Sequence, residues 1–179
     1  MNIIPVKVTS EEFENFIGPF VSKAKRGFVC MIPLYRVFNY ILYCLHTGCQ
    51  RYMIPVEKDN DGRPEISRQA VYYHFRKRCG DGSFKNVWDN SIDRIRDCLN
   101  LSEISFDGTQ TAAKKDGESA AWQGRKKAET ANILTVPDKN SNPAAAAGII
   151  AGNHNDAYEP ENSLRDIFRD MKKRNLPIT

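Results

Sequence analysis

Apolar residues recur at helical spacing through most of the first hundred positions and at strand-like spacing beyond them. Phe13, Phe16, Ile17 and Phe20 stand at i, i+3, i+4 and i+7 behind Ser10, a residue suited to an N-cap, with Glu11 and Glu12 at the acid-favouring end of the helix dipole. A short amphipathic helix is predicted there, disturbed near Gly18 and Pro19. A basic link from Lys23 to Gly27 follows, and Leu34, Val37, Phe38, Ile41, Leu42 and Leu45 then form a broad apolar face closed by Gly48. This second helix is the expected centre of an N-terminal core. After a turn-rich run from Lys58 to Pro64, Ser67 caps a third helix to about Cys79. Gly80 to Gly82 turn the chain into a fourth, marked by Phe84, Val87, Trp88, Ile92, Ile95 and Leu99.

From Leu101 the period changes. Ile104 and Phe106 alternate with polar neighbours and lead into Asp107-Gly108, which predicts a short strand ending in a turn. Ile133, Leu134 and Val136 predict a second strand before the turn Asp138 to Pro143, and Ala144 to Ala151 a third. Leu164, Ile167, Phe168 and Met171 mark a closing helix that stops near Asn175 and Pro177. The expected class is α+β, with a helical domain over 1–100 and a strand-and-helix domain over 101–179.

Composition narrows the class without naming a function. At 179 residues with 41% apolar and 27% charged side chains, the chain suits one medium or two small globular domains rather than a fibre or a disordered segment. Val37 to Gln50 is too short for a bilayer span, and Met1 to Thr9 lacks the features of a signal peptide, so a soluble, intracellular protein with no membrane partner is expected. Cys30, Cys44, Cys49, Cys79 and Cys98 lack paired CxxC spacing and read as free thiols. Charge is uneven: residues 1–100 hold 15 Lys/Arg against 11 Asp/Glu, and residues 101–179 hold 11 of each. Attraction to nucleic acid therefore belongs to the first half.

Three stretches carry candidate chemistry. ISRQAVYYHFRKRC, Ile66 to Cys79, places Arg68, Tyr72, His74, Arg76, Lys77 and Arg78 on one predicted helix. Cations there suit phosphates, and hydrogen-bonding or aromatic groups suit base edges in a major groove. The plainer alternative is a solvated basic helix end that complements its own dipole. Asp107 and Asp156, the latter in GNHND, are carboxylates near strand ends, where clustered acids hold a pair of magnesium ions about 4 Å apart for phosphoryl transfer. Both also fit ordinary turn chemistry. WQGRKK, Trp122 to Lys127, offers Arg125, Lys126 and Lys127 to a phosphate backbone, or is simply a solvated loop.

Taken in order, RVFNYILYCLHTGCQ (36–50), AVYYHFRKRCGDGSF (70–84), FDGTQT (106–111), WQGRKKAETANILTV (122–136) and AGNHNDAY (151–158) resemble bacterial insertion-sequence transposases of the DDE type, in the insertion-sequence-five-like group. The resemblance covers nearly the whole chain. It implies a helix-turn-helix-like DNA-binding domain followed by an RNase H-like α/β catalytic domain. It also implies that two Asp and one Glu bind Mg²⁺, or Mn²⁺ in its place, for strand cleavage and transfer. By position Asp107 matches the first acid and Asp156 the second. The implied partner is double-stranded DNA bearing terminal inverted repeats; a homo-oligomer and a cytoplasmic, nucleoid-associated location are compatible with it.

Two departures accompany the resemblance. Arg51-Tyr52 stands where the family commonly has a tryptophan after GCQ, and no acid beyond 156 fits the third position, since Glu159 and Glu161 lie too close. The expectation is an incomplete RNase H-like domain, from a truncated or split reading frame, and a 179-residue chain inactive by itself. The rival expectation is a non-catalytic DNA-binding repressor acting at transposon ends, and a remnant without function is a third.

Overall fold

The computed structural model describes residues 7–23, 30–112, 119–155 and 158–176. It is mixed helix and sheet, with α1 (Ser10–Phe16), α2 (Leu34–Thr47), α3 (Arg68–Gly80), α4 (Ser83–Ile95), β1 (Asp107–Ala112), β2 (Ala121–Gln123), β3 (Ala128–Pro137), β4 (Pro143–Ala151) and α5 (Pro160–Lys173). The chain divides into two compact units, 1–91 and 92–179, so the division falls inside α4 rather than at residue 100. Among the described residues no helix is long and apolar enough to cross a membrane, and all five cysteines are free thiols.

In the first unit α1 is capped by Thr9 rather than by Ser10. The Thr9 hydroxyl accepts the Glu12 N–H while the Glu12 carboxylate accepts the Thr9 N–H, a reciprocal cap. A 3-10 turn over Gly18–Phe20 follows, where the sequence predicts a disturbance. In α2, Val37, Tyr40 and Ile41 join Ile54 and Val71 in one buried cluster, and Gly48, at φ 62°, ends the helix in the left-handed conformation that favours glycine. Phe13, Phe38, Phe84 and Phe75 continue this core as successive ring contacts at 5.5, 6.4 and 5.7 Å. The connection between α2 and α3 is held down by polar groups. Tyr40 donates its hydroxyl to Glu65 and accepts the Glu57 N–H, while Arg36 pairs with both carboxylates.

In the second unit β3 pairs antiparallel with every other strand: β1 lies opposite residues 130–135, β2 opposite 128–130, and β4 opposite 131–137. Alternation along β3 buries Thr130, Asn132, Leu134 and Val136 on one face. The apolar half of that face packs on α5, where Leu134, Val136, Ala144, Ala145 and Ala147 meet Ile167, Met171 and Leu176. Two irregularities in the β3–β4 register each insert one extra residue into β4, which lets Ala144, Ala145 and Ala147 all turn inward. Alanine suits these positions because small side chains let the helix sit close. The Arg174 guanidinium behind α5 reaches the Ala144 carbonyl at 3.0 Å and pairs with Asp170 at 2.8 Å. In the β3–β4 turn the Asp138 carboxylate accepts the backbone N–H groups of Asn100, Asn140 and Asn142. Burial pushes its pKa up, but these bonds outweigh burial and hold it below the ordinary carboxylate value.

Two expectations change here. Asp107-Gly108 is not a turn ending a strand: it begins β1, opposite Thr135 and Leu134, while Ile104 and Phe106 precede the strand and remain exposed. The long β3 supplies ladder partners that outweigh the local turn preference of Asp-Gly. The strand predicted around Ile133 to Val136 is ten residues long, and the three-residue β2 overlaps the start of the segment read as a basic stretch.

Candidate nucleic-acid interface

Helix α3 is capped by Ser67, whose hydroxyl accepts the Ala70 N–H at 3.1 Å and so starts the helix at a defined point. Between Arg68 and Gly80 there is no acidic residue. Val71 is fully buried, His74 and Phe75 are half-buried, and Arg78 is 5% exposed, which defines the inward side. Arg68, Gln69, Tyr73 and Arg76 are exposed, with Tyr72 and Lys77 half-exposed beside them. Among the described residues no carboxylate pairs with Arg68, Arg76 or Lys77. The outward side of α3 is thus a stripe of cations, one amide and two phenols, all able to donate hydrogen bonds.

Arg78 departs from the expected role. Its guanidinium is buried and donates to His74 Nδ1 at 3.0 Å and to the His74 carbonyl at 3.1 Å, so it ties the helix together and is withheld from any phosphate. Burial lowers its pKa, with Asp81 opposing that shift. The His74 imidazole is lowered by burial and then by the neighbouring charges of Arg78 and Lys77. The folded chain therefore binds a proton at His74 less readily than the unfolded chain does. Stability from this group is complete above about pH 6.5, the ordinary imidazole value, and is lost as pH falls below it. Urea unfolding of the wild type is expected to show a lower midpoint at pH 5.5 than at pH 7.5. His74→Asn, which keeps an acceptor for Arg78 without a titrating ring, narrows that difference; an equal difference in the variant would exclude His74 as its source.

One contributor to this surface was missed by the sequence reading. Arg51, in a 3-10 turn over Arg51–Met53, lays its guanidinium 3.9 Å from the Tyr72 ring centre and so brings a further cation to α3. Its position after GCQ was visible only as a departure from a pattern. Residues 48–67 separate α2 from α3, and the tight link is Asp81-Gly82, joining α3 to α4 where the sequence predicts the turn Gly80 to Gly82. Asp81 accepts hydrogen bonds from Ser22 and Ser83, which lower its pKa and fix that link.

No family model, curated protein or solved structure matches the chain.

In the second unit Arg125 and Lys126 lie in the turn between β2 and β3 and line a polar cleft, with Lys126 donating to the Gln110 carbonyl at 3.2 Å. Lys127 closes the turn at φ 48° and stays exposed outside that cleft. Asp107 is exposed at the start of β1, and its register partner Thr135 places it on the sheet face opposite the buried side chains of β3. Gly108 and Gln110, one and three residues on, belong to the other face and to the cleft beside Asn153 and His154. Asp107 does not line that cleft, and Asp156 lies outside the described residues. Among the described residues no three His, Cys, Asp or Glu side chains converge as metal ligands.

Proposed function

We propose that the chain is a DNA-binding protein of the transposase type, whose first unit grips duplex DNA through the outward stripe of α3. The observation that carries this is the acid-free helix on which Arg68, Arg76 and Lys77 project without carboxylate partners among the described residues, interleaved with Gln69, Tyr72 and Tyr73. Unpaired cations on a rigid helix neutralise phosphates and release counterions, while amide and phenol groups at the same surface reach base edges. In this reading α3 is the recognition helix of a helix-turn-helix-like domain, and the sheet with α5 belongs to an RNase H-like domain. Its catalytic arm is Mg²⁺- or Mn²⁺-dependent strand cleavage and transfer, with Asp107 and Asp156 as acidic residues. The DNA partner is duplex carrying terminal inverted repeats.

Filter binding tests the reading. The wild type retains a labelled inverted-repeat duplex more tightly than a scrambled duplex of equal length, with affinity falling steeply as salt rises. Asp107→Ala leaves that affinity within about twofold, because Asp107 is not on α3. Equal, salt-insensitive retention of both duplexes would remove the DNA-binding reading. Binding by a wild type that lacks Mg²⁺-dependent nicking would favour the non-catalytic repressor over the enzyme.

A further inference from the structure

The buried face of β3 changes character along its length. Leu134 and Val136 lie under α5, whereas Thr130 and Asn132 lie at the end where the chain leaves β4. There the Gln123 and Gln110 amides donate to the Gly152 carbonyl at 3.0 and 3.4 Å, and the Gly152 N–H donates to the Thr130 carbonyl at 2.9 Å. These bonds fix the start of the Gly152–Asn155 loop against the sheet. His154 is then set by stacking on Tyr158, with ring centres 3.5 Å apart. The result is a cleft of about 350 Å³ between this loop and the Gly124–Lys127 turn.

Its walls have a consistent chemistry. Arg125, Lys126 and His154 contribute cationic or N–H donor groups, Gly108 leaves room for want of a side chain, and among the described residues no carboxylate lines it. Arg125 and Lys126 have no carboxylate partner among the described residues, and Glu129 falls on the opposite face of the sheet by alternation along β3. A concave, donor-rich surface held by a hydrogen-bonded loop suits a phosphate group. We propose that this cleft is a second DNA contact, taking a backbone phosphodiester between Arg125 and Lys126 with His154 donating from the loop. The assignment rests on the DNA-binding reading above and adds a site on the second unit that is independent of α3.

The test is an amide-resonance titration of the full chain by NMR, with a 12-base-pair duplex and separately with inorganic phosphate. With duplex, the Gly108, Arg125, Lys126 and His154 resonances shift together with those of α3. The Arg125→Ala/Lys126→Ala variant loses the cleft shifts, keeps the α3 shifts and the native Ile167 resonance, and binds duplex about tenfold more weakly at 0.1 M salt, as expected for two lost phosphate contacts. Shifts confined to α3 would overturn the cleft assignment and leave the α3 reading standing. Movement of the cleft by inorganic phosphate but not by duplex would assign it to a small phosphate and overturn its role in DNA contact. Absence of shifts at both places would overturn both.

Discussion

Replacing Arg68, Arg76 and Lys77 together by alanine is expected to weaken duplex binding by about 10²-fold at 0.1 M salt and to lower the slope of log affinity against log salt by about 3. Among the described residues no carboxylate pairs with any of the three, so each can displace a counterion from DNA. The stripe is exposed, which keeps the loss in binding rather than in folding; Arg68 alone makes a backbone bond, donating from Nε to the Ile54 carbonyl at 3.3 Å. Arg68→Lys with the other two alanines separates charge from that bond. Arg78→Ala behaves in the reverse way: it lowers stability by removing a buried guanidinium from His74, and the folded variant keeps its salt slope. Fluorescence anisotropy over a salt series, with thermal unfolding of the same samples, reads both quantities. A triple variant with an unchanged slope would show that α3 does not meet phosphates.

The largest expected loss of stability comes from a single methyl group. A Cβ at Gly152 would stand 1.9 Å from the Thr130 hydroxyl oxygen and 2.2 Å from the Thr130 carbonyl oxygen. The second clash is with backbone in the middle of the sheet, held there because the same carbonyl accepts the Gly152 N–H. Gly152→Ala must therefore push the loop off β3, breaking that bond and the two glutamine bonds to the Gly152 carbonyl. A cost of about 3 kcal/mol or more follows from overpacking combined with lost buried hydrogen bonds. Urea unfolding followed by the fluorescence of Trp122 in β2 measures it. Thr130→Ala removes the hydroxyl but not the carbonyl, so the double variant remains destabilised. Full rescue by Thr130→Ala would show that the carbonyl contact is not limiting.

How much of this was legible in sequence depended on whether one segment carried its own signal. The apolar stripes of α2 and α5 and the terminating Gly48 declared themselves because an amphipathic helix repeats its pattern over several turns. Strand β2 has three residues and exists through pairing with Ala128 to Thr130, so nothing local announces it. Asp107-Gly108 carries a turn signal that the ladder with β3 overrides. Arg78 was readable in principle: it is four residues from His74 and seven from Val71, on the inward stripe, and charge alone concealed this. The cleft was half legible. WQGRKK supplied its cations, but Gln110, Gln123 and the Gly152 loop meet them only through sheet register.

The most direct measurement of the central claim is site-specific photo-crosslinking to a duplex, with a photoreactive phenylalanine placed in turn at Gln69, Tyr73 and Lys85. Gln69 and Tyr73 lie on the exposed stripe of α3, whereas Lys85 lies on α4 in an ion pair with Asp89. Crosslinks from positions 69 and 73, suppressed by unlabelled duplex and absent from position 85, are predicted. Crosslinks from position 85 alone, or none from 69 and 73 under conditions where the duplex is bound, would contradict α3 as the DNA-binding surface.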